Sequence, residues 1–125
     1  MQSSDRKMLK KMATDVTKNV MGRLPRELQS KLPFVAIVFQ YRPDKNQLAD
    51  GVESDCLGLF TGNSIREGDE NASLPPQIFL FLENIYAESL ESGRGYREEL
   101  RRTFLHELGH YLGLEEDDLA IRDVD

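Results

Sequence analysis

The sequence predicts an α+β fold, because helical patterns near both ends of the chain enclose a group of strand-like segments. The chain has 125 residues, of which 39% are hydrophobic and 30% are charged, a composition typical of a globular domain with one modest core. No internal repeat, low-complexity tract or change in composition marks a boundary, so residues 1–125 are predicted to form a single domain.

The first predicted helix begins near Ser4 or Asp5, either of which could cap it, and it ends around Gly22 and Pro25. Its apolar stripe, at i, i+4 spacing, consists of Met8, Met12, Val16 and Val20. A short second helix is predicted to follow, with Pro25 in its first turn and Pro33 at its end.

Three short segments have the β-branched and aromatic composition of strands: residues 34–41, 57–60 and 77–82. The first, FVAIVFQY, is almost continuously apolar, which predicts a strand buried on both faces. The polar segment 61–76 is predicted to be a solvated connection. A flap over a cleft is the alternative, because loops longer than about 12 residues are often functional.

Two further helices are predicted, from about residue 84 to 91 and from about residue 96 to 112. At about 100° per residue, the apolar residues of the second share one arc wide enough to pack on a sheet. These residues are Leu100, Phe104, Leu105, Leu108, Tyr111 and Leu112. His106 and His110 fall on the opposite side, so their imidazoles are predicted to point away from the core.

Both histidines of the chain belong to the stretch HELGH, which matches the pattern H-E-x-x-H. Two imidazoles at i, i+4 on one helix face can bind a single Zn²⁺ at about 2.0–2.1 Å. Glu107 is offset by about 100° from His106, so it stands beside the metal and is suited to act as a general base on water. The alternative is a pair of surface histidines that flank a glutamate by chance.

A third protein ligand is needed if water is to occupy the fourth position on zinc, and a carboxylate is the expected donor. Gly113 is placed to end the helix with a positive φ and to turn the chain back. Four acids follow it although negative charge is unfavourable at a helix C-terminus, and a bound cation would offset that repulsion. Asp117 and Asp118 are better explained as caps of a short closing helix, which leaves Glu115 and Glu116 as candidates.

The stretch HELGHYLGLEE resembles the extended zincin pattern, in which the third ligand lies ten residues after the first histidine. Together with LGLFTG and LPPQIFLFLENI, it resembles the small zincin-like metallopeptidase family of bacteria over about residues 24–119. The resemblance implies a compact fold with a small mixed sheet packed on the motif helix. It also implies one zinc ion per chain held by His106, His110 and Glu116, with Glu107 as catalytic acid/base. Family members commonly carry aspartate where this chain has Glu116.

The expected activity is therefore zinc-dependent hydrolysis of a peptide or protein substrate. A donor for the developing oxyanion is also expected. The candidates for it are Tyr86, Tyr96 and Arg97; Tyr111 is a fourth, but helical geometry turns it toward the core. An edge strand, either 57–60 or 77–82, could hold an extended peptide by strand addition, although a purely structural role is the alternative for each strand.

The sequence also allows two other functions. One is a metal-binding module that is catalytically weak or inactive and scaffolds a partner. The other is a metal-dependent ribonuclease, which the net charge of −6 and the glutamate of the motif both disfavour.

The composition also argues against some partners and cellular locations. The same acidic balance argues against a nucleic-acid partner, and the longest apolar run, 34–39, is too short to cross a membrane. Cys56 is the sole cysteine and the opening residues lack the apolar core of a signal peptide, so we expect a cytoplasmic protein. The sequence does not predict an oligomeric state.

Overall fold

The computed structural model describes residues 2–62 and 75–114, and within these ranges it has the predicted α+β architecture. The helices are α1 (Ser3–Gly22), α2 (Arg26–Gln29), α3 (Lys45–Ala49), α4 (Leu82–Ser92) and α5 (Tyr96–Leu112). A 3₁₀ turn spans Leu32–Phe34, and the strands are β1 (Ala36–Gln40), β2 (Gly58–Thr61) and β3 (Gln77–Phe81).

The three strands form one mixed sheet in the order β1-β3-β2. β3 runs parallel to β1 and antiparallel to β2, so it lies in the middle. Two predictions about the strands need correction. β1 is an edge strand in which every residue keeps some exposure to solvent, so the prediction that it is buried on both faces is wrong. β3 is central, so the suggestion that 77–82 could be a peptide-binding edge is also wrong.

The core lies between one face of the sheet and the helices α1, α4 and α5. Ile78 and Leu80 of β3 are fully buried there, as are Leu100, Phe104 and Leu108 of α5. α1 covers the other side of α5 with a stripe of buried residues that consists of Leu9, Ala13, Val16 and Val20. Most residues of α5 are therefore buried, and one face of the helix stays exposed.

The bounds of the long helices agree with the sequence prediction, but some of their ends differ. α1 is capped by Gln2, and Asp5 completes the capping box from inside the helix, so neither Ser4 nor Asp5 is the cap. Pro25 precedes α2 as its N-cap residue. Gly113 ends α5 with a φ of 68°, as predicted.

One helix was not predicted: α3, which begins after Asp44. The Asp44 carboxylate accepts a hydrogen bond of 2.8 Å from the Gln47 backbone N–H, and the Asp44 backbone N–H donates one of 2.8 Å to the Gln47 side-chain oxygen. The polar segment predicted as a connection or flap lies almost entirely outside the described residues. Among the described helices, none combines the length and the apolar character needed to cross a bilayer.

Candidate metal centre

The candidate site is built on the exposed face of α5. The helix buries its apolar arc against the sheet and α1, so a stripe at i, i+4 spacing remains exposed. Arg102, His106 and His110 form this stripe. The predicted orientation of the two imidazoles, away from the core and one turn apart, is confirmed.

The two imidazoles converge. Their Nε2 atoms lie 3.2 Å apart, and the ring centroids are separated by 4.7 Å with an angle of 84° between the planes. The ligand atoms of His106, Glu107 and His110 all lie within 4.8 Å of one another. Two nitrogens 3.2 Å apart would each lie about 2.05 Å from one zinc ion if the N–Zn–N angle were about 103°, close to the tetrahedral value of about 109°. The spacing and the donor types therefore fit zinc.

Glu107 differs from the histidines because it is almost completely buried. Its relative exposure is 8%, and it lies on the side of α5 that faces the sheet. Burial raises the pKa of the Glu107 carboxyl, and the opposing effects of His106, His110 and the backbone N–H of Phe60 do not cancel this rise. A carboxylate with a raised pKa holds a proton more readily than an exposed one, which suits a group that must accept and release protons.

The wall beside Glu107 is the edge strand β2. The Leu57 carbonyl accepts a hydrogen bond of 2.9 Å from the backbone N–H of Phe81, the residue directly opposite it on β3. In an antiparallel pair every second residue makes such bonds, so residues 57, 59 and 61 pair with β3. The backbone groups of Gly58 and Phe60 therefore face outward. The Cys56 thiol donates a hydrogen bond of 3.1 Å to the Gly58 carbonyl. β2 thus brings polar groups to the rim of the site.

Sequence reasoning missed the contribution of Gly58. A Cβ atom at this position would lie 2.8 Å from Thr103 Cγ2 and 3.1 Å from Glu107 Cγ, so β2 and α5 approach each other more closely than a side chain would permit. A glycine inside a strand does signal close approach of another group. The sequence alone could not identify the group as α5.

Two of the proposed oxyanion donors are occupied elsewhere. The Tyr96 hydroxyl donates a hydrogen bond of 2.9 Å to the Leu9 carbonyl, and the Tyr111 hydroxyl donates one of 2.7 Å to the Lys31 carbonyl. Arg97 precedes His106 by nine residues, about 13 Å along the helix and on its opposite face. The ring of Tyr86 packs edge-on against that of Tyr96, near the start of α5, with 6.1 Å between the ring centroids. The described residues therefore leave the oxyanion donor unassigned.

The predicted third ligand, Glu116, and its neighbour Glu115 lie outside the described residues. The choice between them stays a prediction from the sequence. Within the described part of the chain, the candidate centre consists of His106, Glu107 and His110.

Comparison with known proteins identifies the family of the chain. The family model described as Zincin-like metallopeptidase matches residues 32–124, about three quarters of the chain. The matched range includes the sheet, α4, α5 and the HELGH stretch, and it leaves out α1. A search of curated proteins found no match.

Proposed function

Because the chain belongs to the zincin-like metallopeptidase family, we propose that it is a zinc-dependent peptidase that hydrolyses peptide bonds in a peptide or protein substrate. The observation that carries the proposal is the pair of Nε2 atoms 3.2 Å apart on one helix face, with a buried carboxylate beside them. Donors of this kind at this spacing are those that zinc uses when it binds water for hydrolysis.

In this proposal one Zn²⁺ per chain is held by His106, His110 and Glu116. When bound, zinc would lower the pKa of water and polarise the carbonyl of the scissile bond. His106 and His110 are exposed, so ion and substrate can reach their imidazole rings without displacing core residues.

Glu107 is proposed as the general base and acid. Its carboxylate accepts a proton from the attacking water, and it then delivers that proton to the leaving amine. Burial supports this role in two ways. It holds the side chain in place, and it raises the pKa of the carboxyl so that the proton is retained until the amine departs.

The outward-facing edge of β2 is the proposed place for the substrate backbone. The Gly58 N–H and the Phe60 carbonyl point away from β3, as strand addition requires. The Gly58 carbonyl already accepts the Cys56 thiol, so a bound peptide would have to displace that contact or pair around it. We therefore expect a peptide to bind at this edge more weakly than it would at a strand edge whose backbone groups were all available.

The test compares three variants with the parent protein. Glu107→Gln should retain about one zinc per chain and lose hydrolysis of a peptide library, because glutamine cannot accept the proton. His106→Ala should lose the zinc. Arg102→Ala is the matched control, since it removes an exposed side chain one turn away, and it should retain the metal.

The outcome separates this function from its rivals. If Glu107→Gln cleaves peptides as fast as the parent, Glu107 is not the base. If the parent binds zinc but cleaves no peptide, the chain is instead a metal-binding module that scaffolds a partner. Binding of RNA that weakens with added salt would favour the ribonuclease. A cytoplasmic location, with no nucleic-acid or membrane partner, remains part of the proposal. The single cysteine supports the location, and the acidic composition argues against nucleic acid.

A further inference from the structure

The edge of β2 that faces the site has a specific arrangement of backbone groups. Leu57, Leu59 and Thr61 are the residues whose backbone groups pair with β3, so Gly58 and Phe60 present theirs to the free edge. The Phe60 N–H interacts with the Glu107 carboxylate, and the Gly58 carbonyl accepts the Cys56 thiol at 3.1 Å. The first of these contacts joins the strand to the proposed general base.

This contact depends on how closely the strand approaches the helix. At Gly58 the strand backbone faces the side chains of Thr103 and Glu107, which are one turn apart on α5. An added Cβ would lie 2.8 Å from Thr103 Cγ2, a distance that real Cβ contacts essentially never show. It would also lie 3.1 Å from Glu107 Cγ and 3.3 Å from the Phe79 carbonyl. Any side chain at position 58 would therefore force Thr103, Glu107 or the strand to move.

We propose that Gly58 is a positioning residue for Glu107, because the absence of a side chain lets the carboxylate lie against the outward-facing Phe60 amide at the edge of the sheet. The proposal rests on the proposed function, in which Glu107 is the base. A base must be held within hydrogen-bond reach of the proton it takes, and a displacement of about 1 Å can reduce the rate roughly a hundredfold. The strand would thus set the direction of the carboxylate independently of the two histidines.

A purely structural glycine is the competing explanation, and the geometry allows the two to be separated. The shortest contact, with Thr103 Cγ2, concerns packing alone, whereas the contact with Glu107 Cγ concerns the proposed base. Thr103→Ser removes the Cγ2 methyl group and leaves Glu107 unchanged. The double variant Gly58→Ala/Thr103→Ser therefore relieves most of the packing conflict and keeps the conflict with Glu107.

We expect Gly58→Ala to lower both the melting temperature and kcat, and the double variant to recover the melting temperature but not kcat. The loss in kcat should be roughly tenfold to a hundredfold, with zinc content and KM nearly unchanged. Thr103→Ser alone should be close to the parent. Gly22→Ala is the control glycine, because nothing lies within 4 Å of a Cβ added there. Recovery of kcat together with melting temperature in the double variant would overturn the proposal.

A second measurement does not require catalysis. Amide hydrogen exchange at Phe60, followed by NMR, should be slow in the parent because Glu107 shields an edge N–H that would otherwise face solvent. It should become at least severalfold faster in Glu107→Ala and in Gly58→Ala/Thr103→Ser. Unchanged exchange in both variants would refute the positioning role even if the protein proves to be a peptidase. If the parent lacks peptidase activity but shows the expected exchange, the proposed function fails and the positioning of Glu107 stands.

Discussion

Tyr111 donates a hydrogen bond of 2.7 Å to the backbone carbonyl of Lys31, which ties the last turn of α5 to the segment that leads into β1. Since its hydroxyl is engaged there, we expect Tyr111→Phe to lower the free energy of unfolding by about 1 kcal/mol and to leave peptidase activity unchanged. Urea denaturation and a peptide-cleavage assay measure the two effects. Tyr86→Phe, at a more exposed tyrosine, should change neither. A large loss of activity in a stable Tyr111→Phe protein would instead indicate a catalytic hydroxyl.

The third zinc ligand can be identified by affinity. We expect Glu116→Ala to weaken zinc binding by at least about tenfold, since even the loss of groups that only support a ligand costs about 10–100-fold. Glu115→Ala is the matched control and should bind zinc as the parent does. Competition with a chromogenic chelator gives both values. If Glu115→Ala has the larger effect, the ligand has been assigned to the wrong neighbour.

Glu83 gives a prediction about pH. Burial alone would raise the pKa of its carboxyl, but hydrogen bonds from Arg42 at 3.0 Å and Arg6 at 2.7 Å outweigh burial and hold the pKa below its ordinary value of 4.5. Because the pKa is lower in the folded state, the stabilisation by Glu83 is complete well above pH 4.5 and is lost as the pH falls through the folded value.

Glu83→Gln should therefore destabilise the protein at pH 7 by about 1–2 kcal/mol, and the difference from the parent should shrink on acidification. We expect a value at the lower end, because Arg6 and Arg42 are 46% and 69% exposed and solvent screens their charges. Thermal unfolding from pH 7 down to pH 3 measures the difference. Glu91→Gln, an exposed position on the same helix, is the control. A destabilisation that stays constant over this range would exclude the ion pairs as its source.

Cys56 reports on the charge of Glu107. Burial raises the pKa of the Cys56 thiol, and the negative charges of Glu107, Asp55 and Glu53 raise it further. We expect iodoacetamide to modify Cys56 more slowly in the folded protein than in urea, and Glu107→Gln to speed the folded-state reaction. Mass spectrometry follows the modification. Glu98→Gln, which removes a charge from another face of α5, should leave the rate unchanged.

The predictable parts of the structure are the long helices, in which the spacing of apolar residues repeats over several turns. α5 spans nearly five turns, so its apolar arc and the opposite placement of His106 and His110 followed from spacing alone. The two edge positions of the sheet were not predictable, because an apolar run does not reveal how many neighbours a strand has. α3 was missed because its five residues lack an apolar period, although Asp44 and Gln47 form a capping pair.

The candidate site shows the same division. His106, Glu107 and His110 are close together in the sequence and lie on one helix, so helix geometry alone predicts that their side chains are near one another. The role of Gly58 depends on a strand that lies 45 residues earlier than Thr103, and no local pattern connects the two. The occupied hydroxyls of Tyr96 and Tyr111 depend likewise on distant backbone carbonyls. Glu116 as ligand, the single domain and the cytoplasmic location stay predictions.

The hydrogen bond from Tyr96 to the Leu9 carbonyl spans 87 positions of sequence, and it connects the start of α5 to a helix outside the family-matched range. Contacts of such long separation are slow to form, since closing the intervening loop costs entropy before any burial compensates for it. Most of the stability of a helix such as α5 comes from the packing of its buried face and not from the isolated helix. An excised peptide that carries HELGH would therefore hold its two imidazoles less firmly than the folded protein, in which α1, α4 and the sheet all pack against α5.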